Sequence, residues 1–295
     1  MSESKKMQNI IWQAKMQLDS NWLESTRILQ RGLVQFPKSE DLKLFLAGIY
    51  FSKKIFRKAV GIYHQVLKDD PANVTAIFQL ANSFLGLKEY KLAVDYYNMI
   101  QATFPELDYN KAFAYSRLGQ KEKSIDILEN IPSQKITTSL PVIFLSEMYL
   151  LTGKLEKGIQ TLEKAQKKFG KLGSITLLKG LAYFDQKNYL KAFLAFESAE
   201  KLKVDMTNSY LMYAYTCLQV GKIEKAIELM LQTIKYYPSN SKAYVQLTHL
   251  YMDNERYEEA FSITELAQKN LGYNVVISLL RDKLLKILGK NIVRS

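Results

Sequence analysis

Two histidines, His64 and His249, and one cysteine, Cys217, are the whole stock of imidazole and thiol in 295 residues. Imidazole titrates near neutrality and thiolate is the strong nucleophile, so these positions decide whether acid–base, covalent or metal chemistry is at hand. Asp253 follows His249 by one helical turn, so the two side chains can meet, and a surface pair is the plainer reading of that spacing. His64 stands far away in sequence. Cys217 falls among apolar residues at helical spacing, where a thiol behaves as a small buried hydrophobe. No glycine-rich phosphate loop, serine elbow or metal-ligand spacing occurs. The expectation is no catalytic residue, no metal and no cofactor, hence no enzyme.

What positions these residues is a repeat. Pro37, Pro71 and Pro105 stand 34 residues apart, each preceded at 15 residues by an aromatic (Trp22, Phe56, Tyr90) and at 12 by a small residue (Ser25, Ala59, Ala93). The small position recurs at Ser124, Gly158, Ala192, Ala226 and Ala260, with one step of 31 before Ser124. Four residues on come Leu29, Tyr63, Tyr97, Leu128, Leu162, Phe196, Met230 and Thr264. Seven on come Gly32, Val66, Ile100, Ile131, Ala165, Ala199, Thr233 and Ala267. Spacings of four and seven define one helix face. The segment ahead of each carries its own stripe, such as Ile77, Leu80, Ala81 and Phe84. Each repeat therefore reads as two antiparallel helices joined by a short turn, with the proline ending the second helix. One repeat is three residues short: Pro132 interrupts its second helix, Ser133–Ser139 reads as a loop, and Pro141 opens the next helix. A bend or hinge is expected there.

This frame resembles the tetratricopeptide repeat family, whose pattern sets bulky, small and aromatic residues and a proline at fixed offsets. Eight repeats fit: 6–39, 40–73, 74–107, 108–138, 139–172, 173–206, 207–240 and 241–274. Gly170 and Val204 depart from the proline position, and Gly158 from the alanine. The resemblance implies an all-α fold, a right-handed α-solenoid of about eight helix-turn-helix repeats over 1–274, with a capping helix and tail over 275–295. In that cap Val276, Leu279, Leu280, Leu284, Ile287 and Leu288 are expected to form the buried face, with Leu285 off it.

The resemblance also implies a concave face lined by the first helix of each repeat. Its contact positions fall here on Leu44, Phe45, Phe78, Asn82, Tyr109, Phe113, Phe144, Glu147, Leu178, Leu181, Met212 and Tyr215, with His249 in the eighth repeat. Members that clamp a carboxy-terminal carboxylate use lysine and asparagine at such positions. Asn82 matches, yet no lysine or arginine accompanies it, so a chaperone-tail clamp is not expected. The groove is apolar and aromatic. It suits a peptide or helix of another protein, although packing between neighbouring helices has the slightly stronger claim on any one of these side chains.

Composition bounds the rest. The net charge is +12, carried mainly by 34 lysines spread along the chain. A solvated lysine exterior explains this better than a nucleic-acid footprint, because recognition sites favour clustered arginine forks. Nucleic acid or an anionic partner bound on that exterior is the runner-up reading, and self-association through the end helix a third. No apolar run long enough to span a membrane and no secretory signal is seen, so a cytoplasmic protein without membrane insertion is expected. The Lys-, Ile-, Tyr- and Phe-rich composition suggests a bacterium. The expected role is an adaptor, scaffold or assembly factor within a larger protein complex.

Overall fold

A computed structural model describes residues 3–289, and the expected tail beyond Gly289 lies outside the described residues. Seventeen α-helices and no strand occur among the described residues. The chain divides into two compact halves, 1–148 and 149–295. In the amino-terminal half run α1 (Glu3–Leu18), α2 (Trp22–Gln35), α3 (Glu40–Ser52), α4 (Phe56–Asp69), α5 (Val74–Gly86), α6 (Tyr90–Asn98), α7 (Pro105–Arg117) and α8 (Lys121–Glu129), while α9 (Leu140–Leu151) straddles the division. The carboxy-terminal half holds α10 (Leu155–Phe169), α11 (Gly173–Asp185), α12 (Tyr189–Lys201), α13 (Tyr210–Gln219), α14 (Ile223–Tyr236), α15 (Ser241–Asp253), α16 (Tyr257–Leu271) and α17 (Val275–Ile287). Consecutive helices pair as hairpins, α1 with α2, α3 with α4, α5 with α6 and α7 with α8 in the amino-terminal half and α11 with α12, α13 with α14 and α15 with α16 in the carboxy-terminal half, and neighbouring hairpins stack within each half.

The small residues are what allow this stacking. Ser25, Ala59, Ala93, Ser124, Gly158, Ala192, Ala226 and Ala260 are all buried, as are the residues four and seven positions after each. Two helices can approach only where one side chain is short, and the next turn then fills the space with a ring or a branched chain. At Gly180 even a methyl is excluded, because a Cβ there would lie 2.7 Å from the buried Phe196 ring.

The turns within hairpins share one device. Lys54, Lys88, Gly119, Gly153, Lys187, Gly221 and Glu255 all adopt positive φ, and the next amide donates back to a carbonyl five residues earlier, as Asn188 does to Tyr183 at 2.9 Å. That closure satisfies carbonyls which the helix end leaves open. Between hairpins, a serine or asparagine two residues after proline caps the next helix. Ser39, Asn73 and Asn240 accept from the backbone of Leu42, Ala76 and Ala243.

Pro105 does something different from Pro37 and Pro71. Helix α6 stops at Asn98, and Pro105 is the first residue of α7 rather than the end of the helix before it. A first-turn amide has no helical acceptor, so proline is well tolerated there. The short repeat is as expected: α8 ends at Glu129, one tight turn covers Ser133–Lys135, and Pro141 lies in the first turn of α9.

The end helix packs differently from the expected face. Ile277, Leu280, Leu284 and Leu285 are the buried residues of α17, which lies on α15 and α16, whereas Val276, Leu279 and Ile287 are exposed. Leu285, expected off the face, is only 4% exposed. The segment carries two overlapping apolar stripes, and the contours of α15 and α16 select one.

Candidate functional site

In the amino-terminal half the expected contact residues lie on α3, α5, α7 and α9. Leu44 and Phe45 are half-buried against the core, and the Lys15 ammonium sits 5.8 Å from the Phe45 ring centroid. Phe78 is wedged edge-on against Phe104 at 5.1 Å and tilted against Tyr97 at 6.1 Å. Asn82 is occupied internally: its carbonyl accepts from the Tyr97 hydroxyl at 2.6 Å and the Asn110 amide at 2.9 Å, and its own amide donates to Gln79 at 3.3 Å. Burial pushes the Tyr97 phenol well above its ordinary range, so it remains a donor.

Tyr109 and Phe113 hold Phe144 between them, with ring centroids 5.6 and 5.8 Å apart. Phe144 is only 7% exposed and is part of the packing rather than an open contact. Glu147, less than one turn further along α9, is half-buried, and no cation pairs with it among the described residues. Burial raises its carboxyl above the usual carboxylate range, and its charge adds to the burial that raises Tyr109. Tyr109 also borders a cleft of about 270 Å³ that includes Pro105, Asn110, Ile136, Thr138 and Pro141. The repeat frame could not point to Ile136 and Thr138, because they lie in the segment where the period breaks.

In the carboxy-terminal half Leu178 and Leu181 on α11 are half-buried, and Leu181 packs on the core. Met212 and Tyr215 on α13 stand 39% and 40% exposed, three residues apart on one face. The Tyr215 ring is backed edge-on by Phe184 and by Tyr189, each at 5.8 Å. His249 on α15 is exposed and forms no hydrogen bond or ion pair with Asp253, so the pairing that their spacing allows is not made.

The other reactive side chains are structural. His64 packs edge-on to Tyr96 at 6.0 Å and Phe84 at 6.3 Å. Cys217 is fully buried, and burial pushes its thiol up to about 12, so the thiolate is scarce at neutral pH. Among the described residues no group of three or more His, Cys, Asp or Glu side chains could hold a metal, and no helix is long and apolar enough to cross a membrane.

The lysine surface is ordered by the hairpins. Lys58, Lys123, Lys157 and Lys191 each stand 5.3–5.7 Å over the ring of the tyrosine eight residues earlier, Tyr50, Tyr115, Tyr149 and Tyr183. The left-handed turn folds the second helix back so that its first-turn lysine covers the last-turn ring of the first. Such contacts contribute roughly 0.5–1 kcal/mol each at exposed sites.

Comparison with known proteins places this architecture. Models of the tetratricopeptide repeat match residues 55–108 and 207–240. Anaphase-promoting complex subunit 7 of Mus musculus is 20% identical over 283 residues, covering 82% of this chain and 50% of its own length. The chain spans about half the length of the relatives it matches. Among solved structures, the C-terminal part of a tetratricopeptide repeat protein from Cytophaga hutchinsonii superposes with a TM-score of 0.65 at 15% identity, covering 80% of this chain and 98% of that one. The Cut9 complex with Hcn1 gives 0.58 at 14% identity, covering 89% and 52%. The all-α fold of stacked helical hairpins, the buried small-residue frame and these matches agree, and the segments 55–108 and 207–240 are tetratricopeptide repeats.

Proposed function

We propose that this chain is a non-enzymatic adaptor that holds a peptide or helical segment of another protein against the first helices of its hairpins, as part of a larger assembly. The observation that carries this reading is the pair Met212 and Tyr215, which expose thioether and ring on one face of α13 while Phe184 and Tyr189 hold the Tyr215 ring in place. A rigid, amphipathic ring with an adaptable thioether beside it makes an anchor at low entropic cost. Glu147 beside Tyr109 offers an uncompensated carboxylate in an aromatic setting, which suits a partner carrying a cation among its apolar contacts. The relative named as a subunit of the anaphase-promoting complex fits a role in assembly. A bacterial, cytoplasmic setting belongs to the same reading and rests on composition.

Site-specific photocrosslinkers at positions 212 and 215, compared with positions 190 and 194 on α12, test it in native lysate. Leu190 and Leu194 are also exposed and serve as an apolar control. One protein crosslinked from 212 and from 215, and lost from position 212 when Tyr215 is replaced by serine, supports the reading. Adducts from 190 and 194 alone would overturn it.

A further inference from the structure

Three of the lysines in the carboxy-terminal half converge on one cleft. It has a volume of about 270 Å³ and is lined by Lys171, Lys179, Lys191, Gln166, Tyr183 and Ser198 among others. Thr176, Lys179 and Tyr183 share a face of α11, Lys191 and Ser198 share a face of α12, and Gln166 comes from α10. Lys179 Nζ donates to the Gln166 side-chain carbonyl at 3.3 Å, and Lys191 Nζ lies 5.5 Å over the Tyr183 ring. None of the three lysines makes an ion pair among the described residues. The acidic groups felt at Tyr183 are Glu163 and Glu156, and Glu156 accepts from the Gln186 amide at 3.3 Å.

The neighbouring repeat shows how a carboxylate closes this arrangement. Thirty-four residues on, Gln166, Lys179 and Lys191 correspond to Glu200, Tyr213 and Lys225. There the Glu200 carboxylate meets Lys225 Nζ at 2.7 Å, and Glu228 meets it at 3.1 Å. In the amino-terminal half, where Lys58 covers Tyr50, the position of Lys179 is taken by the buried Leu46. In the Gln166 cleft an amide stands where the next repeat has the Glu200 carboxylate, and a second lysine stands where that repeat has Tyr213. The cleft thus gains cations and loses the internal anion in the same place.

We propose that this cleft binds a phosphoryl oxyanion, as free phosphate or as a phosphate monoester, with Lys179 and Lys191 as its direct cationic partners and Lys171 as the third. A doubly charged group with several acceptor oxygens matches three ammonium groups, the Ser198 and Tyr183 hydroxyls and the Gln166 amide better than a single carboxylate would. Burial raises the Tyr183 phenol, which keeps its hydroxyl proton available for donation. The cleft far exceeds the roughly 30 Å³ share of one water, leaving room for the carrier of the group.

Isothermal titration at constant ionic strength, with inorganic phosphate and with O-phosphoserine as separate probes, tests this in the full chain. Saturable binding is expected, weakened by roughly tenfold or more in Lys179→Gln, as loss of a charge-assisted hydrogen bond requires. Gln166→Glu is nearly isosteric and installs the anion of the next repeat, so it should abolish binding while the thermal melt stays intact. Lys225→Gln should bind like the wild type. Equal affinity for both probes identifies the free anion as sufficient, and tighter phosphoserine binding identifies a carried phosphate; either supports the proposal. No saturable binding of either probe, or binding that survives Gln166→Glu in a folded variant, would overturn it, and salt-dependent oligonucleotide binding untouched by that variant would place nucleic acid elsewhere on the lysine surface.

Discussion

Lys43 Nζ meets the Asp69 carboxylate at 2.5 Å, tying the first turn of α3 to the last turn of α4. The lysine side chain is only 8% exposed, while the aspartate remains open to solvent. The hydrogen bond and charge of Lys43 hold the Asp69 carboxyl below its usual range. A depressed folded pKa means that this pair stabilises the protein above the ordinary aspartate range and fades as pH falls through the lowered value. Asp69→Asn should therefore melt lower than the wild type at pH 7, because a buried ammonium loses its partner. The gap should close as pH drops below about 4. Melting curves of both proteins from pH 7 to pH 2.5 check this, and a gap that persists or widens in acid would refute the assignment.

The shared left-handed turn makes a prediction of opposite sign at two kinds of position. Lys88 and Lys187 occupy positive φ with a side chain, whereas Gly119 and Gly221 do so without one. A Cβ in that region costs about 1 kcal/mol. Replacing Lys88 by glycine should stabilise by up to about 1 kcal/mol, less the chain entropy that glycine adds to the unfolded state. Replacing Gly119 by alanine should destabilise by about the same amount. Urea denaturation with unchanged slope is the measurement.

Close packing at Gly180 should be more sensitive. An added methyl meets Phe196 Cδ1 at 2.7 Å, and that ring has no exposed surface into which to retreat. Gly180→Ala should cost about 1–3 kcal/mol by overpacking, and Phe196→Ala about 3–5 kcal/mol by leaving a cavity. The double variant should recover part of the Gly180→Ala loss, because the clash is then gone. Simple additivity would show that the two sites do not touch.

The small-residue frame was legible in the sequence because each position answers to its own helix pair and recurs regardless of its neighbours. Every small position and every residue four or seven after it is buried. What the period could not carry is tertiary choice. Phe144 fits a contact position by offset, yet its burial is set by Tyr109 and Phe113 on another helix. Pro105 keeps the 34-residue spacing but starts α7, because α6 unwinds early at Asn98. The lysine cleft was invisible for a similar reason: it depends on Gln166 and Lys179 being exchanged together in different helices, against a background of 34 lysines.

The end helix offers a direct test of which stripe packs. Leu285 is 4% exposed and Leu279 is 65% exposed, although both lie among apolar residues in α17. Leu285→Ala should lower stability by about 2–4 kcal/mol, and Leu279→Ala should stay within about 0.5 kcal/mol of the wild type. The reverse order in chemical denaturation would restore the stripe through Val276 and Ile287.

Glu147 links stability to the proposed binding face. Its carboxyl is raised by burial, so the folded chain holds that proton more tightly than the unfolded chain does. The stability contribution is complete below the ordinary glutamate range and is lost as pH rises through the raised folded value. At pH 7 the ionised group is therefore a net burden on the fold. Glu147→Gln should melt higher than the wild type at neutral pH, and the difference should vanish in acid. A residue kept for packing would gain nothing from this burden, whereas a residue that meets a partner's cation would lose affinity on the same substitution. The expected result is a variant more stable yet weaker in crosslinking from position 109, the trade-off that a binding carboxylate imposes. A variant stabilised with undiminished crosslinking would leave Tyr109 without a charged companion and assign the first-helix contact in this half to apolar surface alone.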